Sequence, residues 1–91
     1  MNRTEQIILI NKLVTDEFGS PHGIKSDEDI KKASWIKDRM EAAIHIIKTK
    51  PFIDGNTRTA LIMLKHEDIF DDDVERTIYE NYDAIKLLAY N

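Results

Sequence analysis

Apolar residues recur along most of this chain at spacings of three and four, the period of an amphipathic helix. From Thr4, an acceptable N-cap, to Phe18, the positions Ile7, Ile10, Val14 and Phe18 share one face, with Leu13 beside them. Gly19-Ser20-Pro21 and then Gly23 stop this first helix. A second is predicted from Ser26, a good cap followed by Asp27, Glu28 and Asp29, to about Thr49, ahead of Pro51. Its main stripe is Ala33, Ile36, Met40, Ala43, Ile44 and Ile47, and Trp35, Ala42 and Ile46 lie opposite. The third starts at Asn56 or Thr57 and runs to about Asp68; Leu61-Ile62-Met63-Leu64 is apolar all round, as in a helix buried within a bundle. A fourth is predicted from Asp71 to Asp73 onward, burying Val74, Ile78, Tyr82, Ile85 and Leu88. No stretch alternates as a strand does. The expected class is all-α, a small bundle of four principal helices.

Size and charge narrow the picture. Ninety-one residues make one small domain, here 1–91, with the composition of an ordinary soluble globular protein. There is no cysteine, which fits a reducing cytoplasm. Only four consecutive apolar residues follow the first six, too few for a signal peptide, and no stretch reaches a membrane span. The net charge is −4, and Lys25, Lys31, Lys32 and Lys37 are interleaved with acids rather than gathered in a stripe. Neither nucleic acid nor membrane is an expected partner.

The most informative stretch is Lys50-Pro-Phe-Ile-Asp-Gly-Asn-Thr-Arg-Thr-Ala-Leu61. It leads a loop into a helix start, where unpaired N–H groups and the positive end of the dipole suit a phosphate. Gly55 allows close backbone approach, Arg58 offers a forked grip on phosphate oxygens, and Asp54 offers oxygen to magnesium. Phe52, Asp54, Gly55, Asn56 and Arg58 match the signature of the Fic/Doc family, His-x-Phe-x-(Asp/Glu)-(Gly/Ala)-Asn-x-Arg. Thr59-Ala60-Leu61 continues the resemblance to its Doc (death-on-curing) branch, as does Gly23-Ile24-Lys25 in the preceding loop. The family's histidine is replaced by Lys50.

The resemblance implies a helical protein whose motif loop enters a central buried helix. It further implies that ATP or another nucleotide binds with Mg, Asp54 serving the metal and Gly55, Asn56, Thr57 and Arg58 the phosphates. Family members transfer AMP, or in Doc the terminal phosphate, to a hydroxyl of a target protein, and Doc-like members work beside a small antitoxin. Thr57, where AMP-transferring members carry glycine, points toward Doc. The missing histidine bears on activity. A general base must be unprotonated at working pH, which suits imidazole; an ammonium group in water keeps its proton. An inactive or impaired nucleotide binder is therefore expected, with Lys50 pairing with phosphate rather than serving as base. The alternative is a non-catalytic module that retains the fold and binds a target or antitoxin.

Other candidates carry less. His45 is expected to face solvent, away from the Met40–Ile44–Ile47 stripe, and His22 to be a plain loop residue, the alternative implied by the resemblance being a place beside the groove that receives the target protein. His66 is expected to close a helix. Thr77-Ile78-Tyr79-Glu80-Asn81 is one residue short of the family's inhibitory (Ser/Thr)-x-x-x-Glu-(Gly/Asn) spacing and reads as surface helix. Trp35 reads as a second core contact, with a homodimer contact as the alternative.

Overall fold

The computed structural model describes residues 2–65, and within them the chain forms four helices: α1 (Arg3–Phe18), α2 (Asp27–Trp35), α3 (Arg39–Thr49) and α4 (Asn56–Lys65). The all-α class holds: no strand occurs among the described residues, only an isolated antiparallel bridge between Ile24 and Phe52. No described helix is long and apolar enough to cross a membrane. The helix expected after Asp71, the Thr77–Asn81 segment and His66 lie outside the described residues.

The first helix starts slightly earlier than its pattern suggests. Asn2 Oδ1 accepts the Glu5 N–H at 2.8 Å and acts as N-cap. Thr4 instead donates its hydroxyl to Ser34 Oγ at 2.9 Å, tying α1 to α2. At the other end Gly19 is left-handed; its N–H bonds Asp16 O and the Ser20 N–H bonds Thr15 O, the paired closure of a Schellman motif. Ile7, Ile10 and Val14 are fully buried as their spacing demands.

The predicted second helix is two. Ser26 caps α2 as expected, but Ile36 is extended and Asp38 caps a new helix by accepting the Glu41 N–H at 2.9 Å. An aspartate followed three residues later by a glutamate is a helix-start signature. The break also strands carbonyls at the end of α2, and Arg3 Nη1 donates to two of them, Ser34 O at 3.1 Å and Ile36 O at 2.7 Å. Burial, and after it the charge of Arg39, lowers the Arg3 pKa below the ordinary arginine value, although a guanidinium stays charged at any working pH.

The break rotates α3 relative to the expected continuous stripe. Ala43 is fully buried as its place on that stripe predicts, but Ala42 and Ile46 join it inside, whereas Met40 is 55% exposed, and Ile44 and Ile47 are exposed too. Trp35 is 77% exposed rather than part of the core. His45 also departs from expectation: it is half-buried against α2, with Nε2 donating to the Asp29 carbonyl at 3.1 Å. Each helix packs on two neighbours in the cyclic order α1, α2, α3, α4. Ile30, Ala33, Phe52, Ala60, Ile62 and Met63 complete the interior. Leu61 and Leu64 of α4 are half-buried.

Candidate functional site

The connection from α3 to α4 is built by a few backbone commitments. Lys50 ends α3 in the left-handed region, φ 47° and ψ 62°, its N–H still bonded to Ile46 O. Pro51 and Phe52 then turn inward and are buried. The Pro51 carbonyl accepts the N–H groups of Lys25 at 2.7 Å and Ser26 at 3.1 Å, and Ile53 N–H donates to Gly23 O at 3.0 Å. The 19–26 loop and the motif loop are thus zipped together. Asn56 closes the turn from the other side: its Oδ1 accepts the Phe52 N–H and its Nδ2 donates to Phe52 O, both at 2.9 Å. Its side chain is therefore spent on the loop, and its main-chain N–H is what it offers outward.

Gly55 occupies φ +76° with its Cα against α1, where an added Cβ would lie 3.1 Å from Asn11 Nδ2 and 3.2 Å from Thr15 Cγ2. Only glycine satisfies both conditions easily. The first intrahelical bond of α4 runs from Thr59 N–H to Gly55 O at 2.9 Å, so the amides of Asn56, Thr57 and Arg58 have no carbonyl one turn earlier.

These elements frame a cavity of about 460 Å³ lined by Lys25, Lys50, Ile53, Asp54, Gly55, Asn56, Thr57, Arg58 and Leu61. All six residues that the sequence singles out lie around it. Sequence reading did not assign Lys25 to the site; its place follows from the zipped loops. Among the described residues, three cations and one carboxylate thus line the cavity. The Arg58 guanidinium stacks on the Phe18 ring, 4.3 Å from its centroid, which orients the fork while leaving its edge donors for an oxyanion. Asp54 Oδ1 accepts the Gly55 N–H at 2.8 Å, leaving its second oxygen uncommitted.

The donors fit a phosphate, and the volume is that of a small-ligand site. They fit a metal ion only in company: among the described residues no three His, Asp or Glu side chains gather as a metal set. Asp54 alone would supply one oxygen, with phosphate and water completing the shell.

Lys50 has a separable structural cost. A non-glycine residue in the left-handed region is strained, and glycine is favoured where a helix ends this way. Lys50→Gly is expected to raise stability by about 0.5–1 kcal/mol in urea unfolding followed by circular dichroism. A loss of stability would show that the backbone here is not strained.

Fold and site define a small all-α bundle with a cationic cleft at the start of its fourth helix. Compared with protein-family models, curated proteins and solved structures, the chain shows no significant match.

Proposed function

We propose that the cleft binds the phosphates of a nucleotide, ATP in the first instance, and that the chain is a Doc-like member of the Fic/Doc family. The observation that supports this reading best is the convergence of Lys25, Lys50, Arg58 and the free amides of α4 on one cavity beside Asp54. Arg58 grips phosphate oxygens as a fork, Lys50 and Lys25 neutralise charge, and Asp54 shares a magnesium ion with the phosphates. A bound nucleotide would bring the transferable group, as phosphate or AMP, for a hydroxyl of a target protein. Among the described residues no imidazole lines the cavity, and with Lys50 at the family's histidine position transfer is slow or absent on this reading.

Calorimetry with ATP and magnesium tests the binding. Arg58→Ala should weaken it by about ten- to a hundredfold, the loss of one charge-assisted pair. Equal heats for wild type and variant would sink the proposal. Lys50→His tests the missing base, and histidine is among the residues that tolerate a positive φ. If the remaining apparatus is intact, it switches on target modification, seen by mass spectrometry of a treated lysate. An unmodified lysate would mean that more than one residue has decayed.

A second reading is a non-catalytic module that binds a target or a small antitoxin. Exposed Ile24, a partner in the bridge to Phe52, and Ile53 next to it on the cleft favour it. A stoichiometric co-purifying partner together with silent ATP titrations would support this reading over the first.

A further inference from the structure

The shape of the cleft depends on a residue outside it. Asn11 stands on α1 beside Ile10 and has no exposed surface. A buried amide is costly unless both ends are bonded, and here both are. Its Nδ2 lies 2.8 Å from the Asp54 carbonyl oxygen and 3.2 Å from Thr59 Oγ1, and its Oδ1 lies 3.1 Å from His22 Nδ1. A carbonyl oxygen only accepts, so the nitrogen end must face Asp54 and the oxygen end must face His22. His22 Nδ1 therefore carries the hydrogen. One side chain joins α1, the 19–26 loop, the motif loop and α4. The register of the Ile24–Phe52 bridge sets His22 opposite Asp54, and Gly55 packs on the same amide.

We infer that Asn11 is the positioning residue of the cleft and that His22 is its latch. Asn11 holds the Asp54 peptide and Thr59, and so fixes the direction in which the α4 amides and the Asp54 carboxylate point. His22 keeps the Asn11 amide from turning over and locks the 19–26 loop, which carries Lys25, to the same frame. Neither residue lines the cavity. The inference rests on reading the cleft as a phosphate site.

Two disrupting variants and one rescuing variant test it. Asn11→Asp keeps the size but puts an oxygen where Nδ2 faced Asp54 O. His22→Ala removes an exposed loop ring and admits water to Asn11 Oδ1 in its place, so it stays folded even where Asn11→Asp does not. Three quantities are read: affinity for magnesium-ATP, hydrogen exchange of the amides of residues 52–58, and the ¹⁵N signature of the His22 ring at a pH where imidazole is neutral. In the wild type the ring hydrogen is expected on Nδ1. His22→Ala should weaken binding about fivefold and speed exchange in 52–58 with little change in melting temperature, and Asn11→Asp should do more. His22→Asn, which still offers an N–H donor, should restore much of the loss. A ring hydrogen on Nε2, or wild-type affinity and exchange in both variants, overturns the inference. If the wild type binds no magnesium-ATP, the phosphate reading falls, while exchange and ring signature still decide whether Asn11 sets the loop.

Discussion

Gly55→Val should cost the fold about 2–6 kcal/mol of its stability. Two penalties coincide at this position. A β-branched residue at φ +76° is strained by about 1–3 kcal/mol, and its Cβ would enter space already held by Asn11 Nδ2 and Thr15 Cγ2. Overpacking of that kind costs about another 1–3 kcal/mol. Asn11 and Thr15 are fully buried on α1, so neither has room to retreat. Small domains hold only about 0.05–0.15 kcal/mol per residue, so the sum removes much of the total. Urea unfolding followed by helical circular dichroism gives the answer. A midpoint unchanged from wild type would mean that the loop readily adopts another path past α1. Gly55→Ala, with one methyl group, should fall between the two.

Phe52→Ala should be comparably damaging for a different reason. The ring is the largest fully buried side chain in the described interior, and its loss leaves a cavity where α3, the motif loop and α4 meet. Truncations of this type cost about 3–5 kcal/mol, a fall in melting temperature on the order of 20 °C for a domain of this size. The backbone of Phe52 is held separately, by both ends of the Asn56 amide. Phe52→Leu should therefore recover most of the stability, since it refills the space without touching the clamp. A Phe52→Ala protein melting within about 5 °C of wild type would show that the ring is not a core element.

Much of this architecture is legible from residue order alone, and the failures have physical causes. The face of α1 shows in Ile7, Ile10 and Val14, and the start of α2 in Ser26 ahead of three acids. The turn into α4 shows in Pro51 and Gly55. The division of residues 26–49 is missed because apolar spacing runs smoothly across it, while the competing signal, Asp38 with Glu41, is short and polar. That one phase error reverses Met40, Ile44, Ile47 and Trp35, and brings His45 in from solvent. The motif residues are found because their types and order announce chemistry. Lys25 is missed because its role depends on the backbone zipper between two loops distant in sequence. Asn11 leaves a trace, a polar residue on an otherwise apolar stripe beside Ile7 and Val14. Its purpose emerges only once the Asp54 carbonyl is seen to need a donor there.

The exposure of Trp35 governs how this molecule is to be watched. It is the chain's single indole, and in the native state it already sits in water. Its emission will be red-shifted before any denaturant is added and will change little as the bundle melts. The same fluorophore, silent about the interior, would shift to the blue and resist quenching as soon as anything settled over the end of α2.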